Sequence, residues 1–340
     1  MALAAVPVLD VSPFRQGGSS ARSGLAAQVD RICREIGFMV ISGHGVDADL
    51  IATVETTSRA FFDLPVEEKM RIVRPAPDVT RGYIPFKAEV LVRSRGGSAD
   101  YGGSADGDLN ESLMIGPIDV ADTPYYTAPA AGRHFAPNLW PERPAGLRSA
   151  YESYFRVMSA LAADLMHLFA LALALPEDHF DGSIDRHISR LRVRNYPAPQ
   201  ETPVPGQLRA GAHSDYGSLT ILKTEDRPGG LQVLGKTGAW LDVPHVPGCF
   251  VVNIGDMMAR WTNDRWVSTL HRVVNPPPDR AAESRRQSLV FFHNPNYDAV
   301  VSCLPGCASD ANPPKYPPTT SGGHLREKFL STQQAIAHVD

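Results

Sequence analysis

The segment that decides the fold reads HSDYGSLTIL at positions 213–222. It opens on a His-x-Asp pair and continues as a β-rich run, which is typical of a strand that presents polar side chains on one face of a sheet. Side chains at i and i+2 of a strand share a face, so His213 and Asp215 are predicted to point the same way. A His-x-Asp pair alone is also compatible with a hydrogen-bonded pair on a surface strand. Other motifs in the chain are needed to distinguish a functional site from such a surface pair.

Downstream of residue 186 the chain consists of short β-like runs separated by Pro, Gly, Asn or Asp. This spacing predicts an antiparallel sandwich or barrel and disfavours a parallel sheet that alternates with helices. The runs are SRLRVRNY (189–196), SLTILKTE (218–225), GLQVL (230–234), WLDVP (240–244), CFVVNIGDMM (249–258), STLHRVVN (268–275) and SLVFFHN (288–294).

Polar residues in the later runs complete a possible site for a metal and an anion. His271 adds a second imidazole to His213 and Asp215, and two imidazoles with one carboxylate bind divalent iron while leaving other positions open. Arg286 and Ser288 alternate on one strand, and a guanidinium beside a hydroxyl can hold a carboxylate. Zinc accepts the same three ligands, which would suit a hydrolase or lyase. The Arg-x-Ser pair favours iron with an organic acid, because a zinc-bound water does not require it.

Composition places the chain among ordinary globular proteins and excludes some partners. The 340 residues are 43% hydrophobic and 21% charged, with a formal net charge of -4. No basic excess exists to hold phosphate backbones, so a nucleic-acid partner is disfavoured. Four scattered cysteines and an N-terminus without the basic start of a signal peptide indicate a cytoplasmic protein. We expect no membrane partner, and a monomer or a weak homo-oligomer.

The most apolar segment, LAADLMHLFALALAL at 161–175, is predicted to be the second half of a long buried helix. It is shorter than a bilayer crossing, and it contains Asp164 and His167. Residues 6 to 62 alternate strand, helix, strand and helix by their hydrophobic periodicity. The Gly-, Ser- and Asp-rich stretch from Ser94 to Gly107 is predicted to be a mobile surface loop.

In this order, the motifs resemble the isopenicillin N synthase-like branch of the iron(II)/2-oxoglutarate-dependent dioxygenases. The resemblance is carried by HSDYGSLTIL, GGLQV, VVNIGDMMARWTN, HRVVNPP and RRQSLVFFHNPNYD, and it extends to VPVLDVSPF, GFMVISGHGV, AFFDLPVEEKMR, RGYIPF, DLNESLMIG and KYPPTTSGGHL. It implies a mainly β fold with helical additions. The expected core is a double-stranded β-helix (jelly-roll) barrel, with an N-terminal α/β region and a long backing helix.

The resemblance also implies a division of the chain and a role for each site residue. The expected regions are an N-terminal non-haem dioxygenase region (1–125), a backing helix (147–180), a dioxygenase jelly-roll domain (186–300) and a C-terminal segment (301–340). The expected catalytic iron(II) ligands are His213, Asp215 and His271. The expected binders of the distal carboxylate of 2-oxoglutarate are Arg286, Ser288 and Tyr196, although Tyr196 is also compatible with a barrel-wall aromatic. Arg285 should face the opposite side of its strand.

The implied reaction consumes O2 and 2-oxoglutarate, releases succinate and CO2, and most simply hydroxylates a small molecule of secondary metabolism. The same family includes oxidative cyclases, desaturases and an ethylene-forming branch, and isopenicillin N synthase carries the Arg-x-Ser pair without using 2-oxoglutarate. A non-catalytic binding protein with this fold is a further alternative. The intact set of metal and carboxylate ligands argues against it.

Three arginines alternate along the run SRLRVRNY, namely Arg190, Arg192 and Arg194, and therefore share one face. We interpret this face as solvated; if it lies inside the barrel, it could hold an acidic substrate. Phe292 is predicted to face the pocket. His293, which alternates with it, is interpreted as a strand-terminal histidine bonded to a turn.

Overall fold

The fold is taken from a computed structural model of the chain, which describes residues 5–76, 79–91 and 106–328. Its N-terminal elements are β1 (Val8–Asp10), α1 (Ser12–Gln16), α2 (Ser19–Glu35), β2 (Phe38–Ser42), α3 (Ala48–Phe62) and α4 (Val66–Met70). Gly37, at a φ of 65°, lets the chain turn directly from α2 into β2. The Asp47 side chain caps α3 by accepting a hydrogen bond from the Asp49 backbone N–H. The predicted strand, helix, strand, helix pattern is present.

A long helix backs the sheet that follows. The elements in this part are β3 (Gly82–Ile84), β4 (Glu111–Ile115), α5 (Pro124–Thr127), α6 (Leu147–Ala172) and α7 (Asp181–Ile184). Helix α6 packs against α2 and α3, and its buried side chains recur at helical spacing along the whole element. By length and hydropathy α6 could cross a membrane, but 56% of its most apolar window is buried inside the fold. It begins at the residue predicted for the backing helix (147–180) but ends at Ala172, where the chain turns and Ala174 has a φ of 58°.

The C-terminal half supplies most of the strands. They are β5 (Arg190–Tyr196), β6 (Ala210–His213), β7 (Leu219–Thr224), β8 (Leu231–Leu234), β9 (Trp240–Asp242), β10 (Phe250–Ile254), β11 (His271–Val273), β12 (Arg286–His293), β13 (Val300–Val301) and β14 (Thr319–Thr320), with α8 (Asp256–Trp261) between β10 and β11. Each predicted run overlaps one of these strands, and β12 begins two residues before its run. The last three residues of the run at 249–258, Asp256 to Met258, instead form the start of α8.

Two sheets form the barrel. The larger has the order β1-β2-β10-β7-β12-β5-β4-β3 and the smaller the order β6-β11-β8-β9. From β5 to β12 consecutive strands lie in different sheets, except that β8 and β9 pair within the smaller sheet. Apart from the parallel pair of β1 and β2, the pairings in both sheets are antiparallel. This is the expected jelly-roll core with helical additions. The N-terminal region joins it directly, because β2 pairs with β10 and β4 pairs with β5.

The arginine face of β5 lies inside the barrel, so the solvated interpretation was wrong. Arg190, Arg192 and Arg194 are only 8%, 4% and 5% exposed. The alternate residues Leu191 and Val193 are fully buried in the main hydrophobic core, on the side that the helices cover. Because helices cover the outer face of the sheet, both faces of β5 are buried, and its polar face can only point inward.

Candidate metal centre and its two cavities

His213, Asp215 and His271 converge in the barrel although 58 positions of sequence separate the outer two. One potential ligand atom from each lies within 4.8 Å of the others. His213, at the end of β6, is the register partner of His271, at the start of β11, and their ring centroids are 4.3 Å apart. His271 Nε2 lies 3.8 Å from Asp215 Oδ1. Two imidazoles and one carboxylate at this spacing can bind one divalent metal on one face.

Asp215 is positioned by a loop and not by strand alternation. Strand β6 ends at His213, so the i and i+2 argument does not apply to Asp215. Its backbone carbonyl accepts a hydrogen bond from the Asp256 N–H, and its Oδ2 accepts from Thr220 Oγ1 at 2.6 Å and Asn253 Nδ2 at 2.7 Å. These bonds leave Oδ1 directed toward the histidines. Thr220 and Asn253 orient the ligand, a role that their sequence positions did not reveal.

The backbone selects which nitrogen each histidine offers to a metal. His213 Nδ1 lies 2.7 Å from the Gly211 carbonyl, and His271 Nδ1 lies 3.2 Å from the Thr269 carbonyl. A carbonyl can only accept, so Nδ1 carries the proton and Nε2 presents its lone pair. Burial, followed by the neighbouring His271, lowers the pKa of His213 well below its usual range. The imidazole is therefore neutral and ready to bind a metal at neutral pH.

The smaller cavity beside the three ligands is lined by all three predicted carboxylate binders. Arg286 Nη1 donates to the Gly229 carbonyl at 2.8 Å, while Arg286 Nε and Ser288 Oγ are buried without a hydrogen-bond partner. Buried donors are normally paired, so two orphaned donors side by side fit an anionic ligand. The Tyr196 ring centroid is 5.9 Å from the guanidinium carbon of Arg286. Arg285 points away as predicted and pairs with Asp63 at 2.6 Å.

The larger cavity has a volume of about 250 Å³ and adjoins the smaller one. The two share Arg194, His213, Asp215 and Phe292 in their walls, so the metal site lies at their junction. Phe292 therefore faces the pocket as predicted. His293 is turned away, with Nδ1 at 2.7 Å from Ser218 Oγ. A cavity of this size suits a small organic molecule.

Glu89 lines the larger cavity and was not foreseen, because no local pattern marks it. Its carboxylate forms ion pairs with Arg192, with Arg74 at 3.6 Å and with Arg194 at 3.8 Å. Burial alone would raise the pKa of Glu89, but the charges of Arg192 and Arg194 lower it to about 2. The pairs with Arg192 and Arg194 hold the loop 88–91 against β5. Most of the stretch from Ser94 to Gly107 lies outside the described residues, and the loop hypothesis for it stays a prediction.

Asp108 links this loop to the metal-ligand strand. Its carboxylate accepts hydrogen bonds from the Leu91 and Gly211 backbone N–H groups, both at 2.9 Å. Gly211 in turn accepts the hydrogen bond from His213. Burial raises the pKa of Asp108 to about 6, although the two N–H groups and Arg194 oppose this. The side chain thus changes charge within the pH range in which the protein would be assayed.

We expect Asp108→Asn to flatten part of the pH dependence of stability. In the folded state Asp108 keeps its proton up to about pH 6, whereas in the unfolded chain it loses the proton near pH 3.8. The protonated carboxyl therefore contributes its full stabilisation below pH 3.8, and this contribution is lost as the pH rises through 6. The free energy of unfolding of the wild type should fall relative to Asp108→Asn by on the order of 3 kcal/mol between these limits. Urea unfolding at successive pH values measures this difference. Exposed Asp122→Asn is the control, and parallel curves for wild type and Asp108→Asn would contradict the expectation.

Comparisons with known proteins agree with this geometry. Residues 6–143 match the family described as non-haem dioxygenase in morphine synthesis N-terminal, and residues 187–295 match the 2OG-Fe(II) oxygenase superfamily. The chain is 36% identical over 335 residues to the 2-oxoglutarate-Fe(II) type oxidoreductase hxnY of Emericella nidulans, covering 97% of this chain and 90% of the relative. It is 31% identical to a homoarginine-6-hydroxylase of Oryza sativa subsp. japonica, covering 96% and 97%.

A solved structure is similar along nearly the whole chain. The crystal structure of a full-length Neurospora crassa protein in complex with alpha-KG and thymine is 31% identical, with a TM-score of 0.82 and coverage of 96% of this chain and 97% of that one. The likeness therefore includes the N-terminal region, the barrel and part of the C-terminal segment.

Proposed function

Because the chain belongs to the 2OG-Fe(II) oxygenase superfamily, we propose that it hydroxylates a small organic molecule at an iron held by His213, Asp215 and His271. Fe(II) with 2-oxoglutarate and O2, when bound, supplies the oxidising chemistry. In the overall reaction a substrate C–H, 2-oxoglutarate and O2 become C–OH, succinate and CO2. The protein's contribution is to bind, orient and enclose these reactants.

The single observation that carries the proposal is the pair of orphaned donors beside the three ligands. Arg286 Nε and Ser288 Oγ are buried without partners in residues that line the smaller cavity, where a carboxylate of a dicarboxylate could accept from both. A water-activating zinc site would leave both donors without a use. Arg286 with Ser288 therefore supports an organic acid as co-substrate, and the two histidines with a single carboxylate support iron.

The arrangement of the walls gives each reactant a direction of approach. The antiparallel register of β5 and β12 places Arg286 beside Tyr196 at one end and Phe292 beside Arg190 at the other. A 2-oxoglutarate carboxylate held by Arg286 would direct its keto-acid end toward the metal ligands. The substrate would approach from the larger cavity on the other side. This order supports transfer of oxygen to a substrate that never touches the carboxylate clamp.

The relatives do not determine the substrate of this chain. One protein that is 31% identical to the chain is named for homoarginine, and another that is also 31% identical was crystallised with thymine. The two compounds differ in charge and shape. Oxidative cyclisation, desaturation and ethylene formation would use the same metal ligands and clamp. Hydroxylation is proposed because it needs no further group from the protein.

The test is spectroscopic and independent of the substrate. Anaerobic addition of 2-oxoglutarate to the Fe(II)-loaded protein should produce a metal-to-ligand charge-transfer band, and admission of O2 should then yield succinate. Zn(II)-loaded protein is the control and should show neither. An unchanged spectrum after 2-oxoglutarate addition would contradict the proposal and favour an oxidase that does not use this co-substrate.

A further inference from the structure

Resting on the proposed function, we propose that Phe292 is a modification site, whose ring is hydroxylated during turnover without a substrate in the larger cavity. Phe292 is one of four described residues that lie in the walls of both cavities. The other three are the metal ligands His213 and Asp215 and the cationic Arg194. Within this set of four, only Phe292 carries an apolar side chain. An oxidation directed at a substrate C–H would therefore take place beside the C–H bonds of this ring.

Phe292 belongs to a row of side chains that crosses the larger sheet next to the metal ligands. The strand register pairs Phe292 on β12 with Thr220 on β7, and Thr220 with Asn253 on β10. Thr220 and Asn253 both donate to Asp215 Oδ2, so this row faces the metal site. Directly opposed side chains of paired strands have Cβ atoms about 5 Å apart. The Phe292 side chain therefore lies beside the hydroxyl that orients a metal ligand.

The ring of Phe292 borders a cavity, whereas the ring of its neighbour in the chain is packed in the core. Phe291 is fully buried in the main hydrophobic core, and its ring centroid lies 5.3 Å from that of Phe155. Phe292 is half-buried and lines the larger cavity of about 250 Å³. Because side chains alternate across a strand, only one of the two adjacent phenylalanines faces the metal site.

Two other side chains that oxidise readily also line the larger cavity, but they are placed differently. Tyr216 follows Asp215 in the chain, and its ring packs against the main hydrophobic core. Met114 lies on β4, which is three strands away from the β7 strand of Thr220 in the order of the larger sheet. Neither residue lines the smaller cavity. We therefore expect oxygen to enter Phe292 before either of them.

The modification uses only the reactants of the proposed function. A ring C–H bond of Phe292, 2-oxoglutarate and O2 become a ring C–OH, succinate and CO2. O2 accepts four electrons, two from the ring carbon and two from the keto acid, and its two oxygen atoms end in the phenol and in succinate. A phenolic oxygen is a ligand that iron accepts in proteins. The modified ring would therefore place a new ligand atom at the junction of the two cavities and restrict further turnover.

The first experiment locates the oxygen that enters the chain. The full protein loaded with Fe(II) is incubated with 2-oxoglutarate, O2 and catalase but no substrate, and its tryptic peptides are analysed by tandem mass spectrometry. Cleavage after Arg286 and Lys315 leaves Phe291 and Phe292 in one peptide, so the fragment ions compare the two rings directly. We expect one oxygen atom on Phe292, derived from isotopically labelled O2, and at least 10-fold more of it with 2-oxoglutarate than with succinate.

Two controls separate this reaction from oxidation by species that diffuse through the solution. Met70 is 41% exposed, and its oxidation should be equal with 2-oxoglutarate and with succinate. Phe292→Leu removes the ring, so the aromatic modification should disappear from the peptide and should not move to Phe291. Thermal melting reports whether the variant folds.

The second experiment tests the position of the ring without any turnover. Phe292→Tyr introduces a phenol at the position where the modification is proposed. The Fe(III)-loaded variant should therefore show a phenolate-to-iron charge-transfer band that the freshly prepared wild type lacks. Phe291→Tyr is the matched control, because its ring lies in the core, and it should show no such band.

The wild-type measurement can overturn the inference by itself. Oxygen on Phe291, Tyr216 or Met114 in preference to Phe292 would refute it, as would succinate formation that leaves Phe292 unmodified. A folded Phe292→Tyr variant without the phenolate band would refute it as well. These results would leave the proposed function intact, since succinate is measured in the same samples. A wild-type protein that forms no succinate from 2-oxoglutarate would instead refute the proposed function.

Discussion

Replacing His271 with alanine is expected to abolish iron binding in the assay range and to lower 2-oxoglutarate-dependent succinate formation more than about 100-fold. Substituting residues that merely orient metal ligands typically costs 10- to 100-fold in affinity or activity, and His271 would be a ligand itself. Its Nε2 lies 3.8 Å from Asp215 Oδ1, and its ring lies against that of His213. Removing the imidazole leaves only two ligands. Iron content after dialysis and succinate release measure the effect.

His179→Ala is the matched control for this substitution, because His179 is exposed on a different part of the chain. It should keep wild-type iron content and turnover. Melting temperatures of both variants in the absence of metal should stay close to that of the wild type. A His271→Ala protein that retains iron and turnover would show that the metal is held elsewhere.

Replacing Arg286 with alanine is expected to raise the dissociation constant of 2-oxoglutarate at least about 100-fold and to eliminate the charge-transfer band at ordinary concentrations. A hydrogen bond to a charged group contributes roughly 1.5–3 kcal/mol, and a guanidinium can make two of them to one carboxylate. Arg286 is 4% exposed, so water cannot easily substitute for the lost donors. Titration of the band with 2-oxoglutarate measures the change.

Neighbouring residues supply the controls for Arg286. Arg285 lies next to it in the chain but pairs with Asp63, so Arg285→Ala should leave the dissociation constant of 2-oxoglutarate within about 2-fold, as expected for a surface pair. Ser288→Ala removes a neutral donor and should weaken binding by about 10-fold or less. If Arg285→Ala and Arg286→Ala weakened 2-oxoglutarate equally, the assignment of the clamp would fail.

Strand alternation predicted the common face of Arg286 and Ser288 from sequence because both residues lie in one regular element. Arg286 and Ser288 share a face of β12, and Arg285, just before the strand, is turned away. The same rule predicted that Asp215 and His213 point to the same site, which is correct, but Asp215 reaches that site for a different reason. Asp215 lies in a loop, held by Thr220 and Asn253. These partners come from two other strands, so no local pattern in the sequence could have indicated them.

The arginines of β5 show where sequence reasoning stops. Alternation correctly placed Arg190, Arg192 and Arg194 on one face, but alternation alone does not indicate whether that face is in solvent or in the interior. Because Leu191 and Val193 lie on the other face, the usual burial of apolar residues predicts that the arginine face is exposed to solvent. Helices α3 and α6 cover the outer side of the sheet in this fold, so the arginines enter the barrel instead.

The sequence by itself indicated the His213, Asp215 and His271 cluster, the common face of Arg286 and Ser288, the β-rich core and the long helix behind it. These follow from residue type and from periods of two and 3.6 residues, which are local properties. Only the tertiary structure decided that the arginine face is interior and that Glu89 lies against it in the wall of the larger cavity. Charge compensation between Glu89 and three arginines joins β5, residue 74 and the loop 88–91, and such long-range pairing depends on the folded arrangement.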